Sequence, residues 1–199
     1  MYLPRHFEQN DPAALAALMR EHPLAHLVSL QPDGLTADPL PLEFDADARV
    51  LRGHVARANP LWRAADGRAV LAIFGGPEAY VSPGWYASKA ATHKVVPTWN
   101  YALVHAHGTL RAVDDAPWLR ALVGRLTDRH EAARAEPWSV DDAPSDYVAQ
   151  MLRAIVGIEI AVERLVGKWK LSQNRSAADR QGVADGLGDT PLAALVRPD

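Results

Sequence analysis

The stretch GKWKLSQNR, Gly167 to Arg175, gathers two lysines, an arginine, a tryptophan and two side-chain amides in nine residues of a chain with net charge −3. Donors at that density suit an anionic, oxygen-rich ligand, because charge-assisted N–H···O bonds are the strong ones. Alternation along an extended chain puts Lys168, Lys170 and Ser172 on one side and Trp169, Leu171 and Gln173 on the other. A lysine-bearing strand end can equally be a protected edge. A second stretch, GHVARANPLW, places His54, Arg57 and Asn59 where a strand meets a helix. A helix start offers free N–H groups and the positive dipole end, and an arginine fork beside it suits a phosphate. Alone, a capped helix with a solvated arginine is the simpler reading. A third, HKVVPTWNY, adds Lys94, Thr98, Trp99 and Asn100 at the entrance to a long strand. Thr98 and Asn100 share one face, Trp99 and Tyr101 the other. A ligand ring rich in carbonyl and N–H groups would satisfy the polar face; a ladder of surface polar pairs would do so equally well.

Other chemistries find less support. His105 and His107 fall on one face of a strand, as a metal pair would, and His54 could be a third ligand. No acidic residue follows at close spacing, so two histidines on a half-exposed strand are preferred and no metal is expected. None of Ser29, Ser82, Ser88 or Ser172 lies in a Gly-x-Ser-x-Gly elbow. No glycine-rich phosphate loop is present. The absence of cysteine excludes thiol catalysis, thiolate metal sites and disulfides. Arg120, Arg125, Arg129 and Arg134 flank an apolar helix face and form no single stripe, as on a solvated amphipathic helix. The two central helical stretches are joined by a long segment with Pro137 and Pro144, unlike a helix-turn-helix unit. Charge and motifs therefore give DNA binding no support. No signal-like segment and no run near the ~20 apolar residues of a membrane span appears, so a soluble cytoplasmic protein without membrane association is expected.

The elements that must position these residues follow from periodicity. Asp11 and Pro12 start a helix with Leu15, Leu18 and Met19 on one face. Leu24–Leu30, Leu35–Phe44 and Arg49–Ala56 read as an antiparallel meander, with Pro39 and Pro41 placing its middle strand at an edge or bulge. Arg57–Asp66 is a short helix; Arg68–Gly76 and Glu78–Pro83 are strand, and Pro97–Val113 is a long alternating strand. Helices at Ala116–Ala135 and Ser145–Ile155 precede a last strand from about Gly157. This order is α+β with one main antiparallel sheet, which about six strands would close into a small barrel to remove edges. One domain over 1–175 is expected, with 176–199 a frayed helix or flexible tail.

Taken together, GHVARANPLW, YVSPGWY, VPTWNYALVHAHG, KWKLSQNR and the opening MYLPRHF resemble the PaiB-type family of FMN-binding negative transcriptional regulators, from Met1 to about Arg175. The resemblance implies an FMN-binding split β-barrel of the pyridoxamine-phosphate-oxidase-like kind with flanking helices, and a homodimer with FMN at its interface. It implies phosphate contacts from Arg57 and Asn59 with His54 beside them. Lys94, Thr98, Trp99 and Asn100 would lie near the ring or ribityl chain. Lys170, Gln173 and Asn174 would close the site. The family label also implies DNA as a partner, with regulation that can be indirect. The alternative is an FMN-dependent oxidoreductase, since a flavin carries its own chemistry and needs no catalytic triad.

Overall fold

The computed structural model describes residues 1–198. Its strands are β1 (Glu8–Gln9), β2 (Leu24–Gln31), β3 (Gly34–Pro41), β4 (Glu43–Asp45), β5 (Val50–Ala56), β6 (Ala69–Val81), β7 (Thr98–Val113) and β8 (Ile155–Lys170). Its α-helices are α1 (Pro12–Glu21), α2 (Leu61–Ala64), α3 (Lys89–Thr92), α4 (Ala116–Glu131), α5 (Ser145–Arg153), α6 (Ala177–Leu187) and α7 (Pro191–Val196). The sheet order is β3-β2-β6-β7-β8-β5-β4, with β1 pairing β8. The fold is thus α+β and antiparallel, but among the described residues the sheet has eight strands and its pairing path ends at β3 and β4 without closing. The expected count of six missed β1 and β4, pieces of two and three residues too short to show a period. β3 is an edge strand, consistent with Pro39 and Pro41, which have no N–H to give a second neighbour.

The chain divides into two compact units. The first comprises Met1–Glu21, Gly75–His105 and Val166–Asp199, the second His22–Phe74 and Ala106–Leu165. β6, β7 and β8 each contribute residues to both units.

In the second unit, β2 and β3 pair from Leu24↔Pro41 to Gln31↔Gly34, with Pro32 and Asp33 turning the hairpin. β5 pairs β8 from Val50↔Ala161 to Ala56↔Ile155. Leu51, Phe74, Leu110, Leu119, Leu122, Ile158 and Ile160 form the buried interior. The Asp115 carboxylate accepts the Trp118 N–H and caps α4. The four α4-region arginines are all ion-paired: Arg120 with Asp141, Arg125 and Arg129 with Glu43, Arg134 with Glu131.

In the first unit, the Asp11 carboxylate accepts the Ala13 N–H, and Leu15, Leu18 and Met19 of α1 are buried as the periodicity requires. The tail differs from expectation. It forms α6 and α7, whose Val183, Ala184, Leu192 and Val196 are buried against Val81, Tyr86 and Leu171. The close approach depends on two glycines one turn apart. A Cβ at Gly182 would lie 2.1 Å from the Trp85 carbonyl oxygen, and one at Gly186 would lie 2.3 Å from the Trp85 indole. Asp179, 4% exposed, accepts from both the N–H and the O–H of Ser88 at 2.8 and 2.9 Å. Burial pushes its carboxyl up, but the Ser88 and Ser176 donors and the charge of Arg175 outweigh it and hold the carboxyl below its ordinary range.

Asp179→Ala is therefore expected to remove about 1.5–3 kcal/mol, the range for hydrogen bonds to a charged group, measured as lost amide protection across α6 and α7. Because the folded carboxyl titrates below its unfolded value, this stability is complete above the ordinary aspartate value and is lost as pH falls through the folded one. Protection of α6 that stays constant from pH 7 to pH 2.5 in the native chain would contradict the assignment.

Candidate functional site

The chain opens a cleft of about 190 Å³ within the first unit, where the start of β7 faces the end of β8. Thr98 and Asn100 of β7, Lys170 of β8, and Ser172, Asn174 and Arg175 just beyond it supply the polar lining; Phe7, Tyr86, Val96 and Pro97 supply the rest. Asn100 is fully buried and donates from Nδ2 to Ser172 Oγ at 2.9 Å, while the Ser172 hydroxyl sits 3.3 Å from Asn100 Oδ1. Ser172 holds φ at +64°, a left-handed value that turns the chain away from β8. The turn is fixed by Gln173, whose Oε1 accepts the Leu171 N–H and whose Nε2 donates to the Trp169 carbonyl.

The electrostatics of this strand end are one-sided. Lys170 Nζ donates to Thr98 Oγ1 and to the Trp99 carbonyl. Lys168, 8% exposed, donates to the Tyr2 carbonyl and lies 5.5 Å from the Tyr101 ring centroid. The Arg175 guanidinium stands 4.7 Å over the Tyr86 ring. Among the described residues none of these three cations makes a salt bridge. Burial, then the neighbouring charges of Lys168 and Arg175, push the Lys170 ammonium below its ordinary range. The Tyr86 hydroxyl is buried and has no hydrogen-bond partner. Two cations without a salt bridge, Lys170 and Arg175, and an orphaned hydroxyl around a concave space are a donor set that an anion with several oxygens satisfies. That is the chemistry of a flavin phosphate, so the residues present fit the group.

Of the residues singled out from sequence, Thr98, Asn100, Lys170 and Asn174 line this cleft together. Lys94 and Trp99 are exposed and do not line it; Gln173 holds the adjacent turn. His54, Arg57 and Asn59 belong to the second unit. Arg57 makes a bidentate pair with Asp114 at 2.6 and 2.7 Å and donates to the carbonyls of Arg153 and Ile155. Asn59 caps α2 by accepting the Leu61 N–H and donates to Asp38. His54 lines a groove beside α4 and α5. His105 and His107 lie on the half-buried face of β7, and among the described residues no group of three or more His, Cys, Asp or Glu side chains could hold a metal. Sequence reasoning passed over Tyr86 and Arg175, although each ends a stretch already quoted, YVSPGWY and KWKLSQNR.

Residues 1–164 match the family described as "Putative FMN-binding domain". The Bacillus subtilis "Protease synthase and sporulation protein PAI 2" is 32% identical over 94% of this chain and 89% of its own. An Emericella nidulans protein is 34% identical over 94% of this chain and 90% of its own. Among solved structures, the FAD and heme binding protein from Mycobacterium smegmatis superposes with a TM-score of 0.63 at 17% identity, covering 90% of this chain and 80% of that one. The flavocytochrome Anf3 from Azotobacter vinelandii gives 0.62 at 13% identity, covering 84% and 72%. The two structures show a shared split-barrel fold.

The Asn100–Ser172 pair makes a stability prediction. Ser172→Ala strands a buried amide and should cost about 1–3 kcal/mol in urea unfolding. Ser172→Gly loses the same hydroxyl but relieves the left-handed backbone, so it should cost about 1 kcal/mol less. Equal losses in the two variants would remove the strain from the account.

Proposed function

This chain belongs to the FMN-binding domain family that its residues 1–164 match, and from that premise we propose that the cleft at the end of β8 holds the FMN phosphate. One observation carries the reading: in an acidic chain, Lys170 and Arg175 line the cleft with Lys168 near Lys170, and among the described residues none of the three makes a salt bridge. In this assignment Lys170 and Arg175 neutralise the phosphate, Thr98 and Asn174 add neutral donors, and the Tyr86 hydroxyl gains its missing partner. Asn100 and Gln173 act as positioning residues, fixing the turn that aims the donors. The bound flavin supplies any electron transfer itself. Arg57 is a weaker phosphate candidate, because a phosphate would have to displace Asp114 from its guanidinium.

The proposal extends to a homodimer. About 190 Å³ is below the roughly 300–1,000 Å³ of small-molecule sites, so the cleft takes the phosphate end and leaves the ring uncovered. Beside it, Val96, Tyr80 and Trp99 are 63%, 47% and 53% exposed, and the two rings meet edge to face at 6.3 Å. An exposed aromatic pair at the mouth of an incomplete site favours a second copy laid across it. The proposed role is that of a cytoplasmic flavin-binding regulator in the PaiB manner. Its regulation is indirect: the α4-region arginines that could have gripped a polyanion are ion-paired within the chain, and net charge is −3. No α-helix among the described residues is long and apolar enough to cross a membrane.

Two measurements test this. Lys170→Met and Arg175→Met should each weaken FMN at least tenfold in fluorescence-quench titrations while changing riboflavin affinity less than threefold, these being the sizes expected when a charge-assisted bond is lost or untouched. Equal losses for both ligands would assign these cations to the ring and overturn the phosphate reading, and Arg57→Ala serves as the comparison. Trp99→Glu should convert a dimer to a monomer in light scattering and weaken FMN with it; a dimer that persists places the interface elsewhere.

A further inference from the structure

The C-terminal helix pair and the cleft of the first unit share a wall. Tyr86 lines the cleft and also belongs to the buried cluster that Val183 and Ala184 of α6 and Leu192 and Val196 of α7 complete. The Arg175 guanidinium stands over that ring at 4.7 Å. Arg175 directly precedes Ser176, whose hydroxyl accepts the Asp179 N–H and caps α6. Two residues past Tyr86, Ser88 gives both its N–H and its hydroxyl to Asp179. One residue before it, Trp85 meets Gly182 by its carbonyl and Gly186 by its indole. The ring beneath Arg175 is thus gripped by α6 on either side in sequence. Arg180 closes the pair by donating to the Val196 and Arg197 carbonyls.

The pair is either docked or unfolded. α6 has eleven residues with Gly182 and Gly186 inside it, and α7 has six. Helices that short, the first weakened further by glycine, do not persist in water without packing. Release from Tyr86 and Leu171 therefore melts both. Asn174 and Arg175 then belong to a flexible end and Tyr86 loses its backing, while Thr98, Asn100 and Lys170 remain on β7 and β8. Only the docked state presents the whole donor set, so an anion in the cleft prefers it. We propose that docking of α6 and α7 regulates the anion end of this site: the docked pair holds Arg175 ready for the FMN phosphate, and bound FMN in turn holds the pair down. This rests on the phosphate reading of the cleft. Because such coupling is reciprocal, anything that captures the released tail lowers FMN affinity without touching the cleft.

Gly182→Ala tests it in the full chain. Alanine strengthens a helix in isolation, but its Cβ would stand 2.1 Å from the Trp85 carbonyl oxygen, so the substitution acts against docking alone. FMN affinity in fluorescence-quench titration should fall about tenfold, within the usual range of coupling, and riboflavin affinity less than about threefold. In an Arg175→Met background the same substitution should cost FMN less than about threefold more, because its effect passes through Arg175; a second full tenfold loss overturns that route. Hydrogen exchange of the native protein reads the reciprocal effect, and decides alone if Gly182→Ala does not fold. Saturating FMN should slow exchange in α6 and α7 about tenfold more than in α4, and riboflavin should not. Exchange in α6 and α7 that FMN leaves unchanged relative to α4 overturns the proposal. If Lys170→Met weakens FMN and spares riboflavin while Gly182→Ala weakens neither, the cleft holds the phosphate and the tail does not regulate it. If Lys170→Met weakens both equally, the phosphate reading fails and the proposal fails with it.

Discussion

Strand length is the constraint on which the other features rest. β7 and β8 each run for sixteen residues, against a usual five or six. Each therefore serves two interiors, and each carries side chains of different purpose along its length. Along β7, alternate positions are buried from Asn100 to Leu110, so one unbroken period supplies both units with core. The strand ends in the first unit are then free for polar work. Thr98 and Asn100 meet Lys170 and Ser172 across 72 residues of sequence because strand geometry brings those ends together. A left-handed Ser172, held by its bond to a buried amide, turns the chain so that Asn174 and Arg175 reach the same concavity.

Charge is distributed with a matching logic. In the second unit, Arg52 bridges Asp45 and Glu159, Arg111 joins Glu159, and Arg57 is clamped by Asp114. Pairs of this kind near the surface add little stability, but they tie up side chains that could otherwise attract polyanions. The first unit does the reverse, placing Lys168, Lys170 and Arg175 near aromatic rings and, among the described residues, in no salt bridge. Ring faces stabilise a cation without neutralising its charge, so these side chains stay available to an anion.

Much of this was legible from local pattern. Asp11, Asn59 and Asp115 sit where caps belong, the prolines of β3 mark its edge, and the alternation of β7 was plain along its whole length. The four cleft residues found from sequence all came from stretches dense in donors. What escaped depends on distant partners. Nothing near Arg57 announces that Asp114 will take both arms of its guanidinium. The tail read as loose because Gly182 and Gly186 weaken a helix in isolation, while the reason for those glycines lies at Trp85, about a hundred residues upstream. Gln173 has the chemistry of a ligand group, and its amide also bonds the Leu171 N–H and the Trp169 carbonyl close by in the chain.

The seat of Trp85 on α6 also bears on descent. The two glycines answer to different parts of that residue: a Cβ at 186 meets the indole, and one at 182 meets the backbone carbonyl. A lineage that keeps the indole is confined to glycine at 186. Glycine at 182 is held for as long as α6 lies against that carbonyl, whatever side chain stands at 85. Residues whose helix propensity argues against them are thus preserved for two separate reasons, and 85 and 186 should vary together among relatives that retain α6.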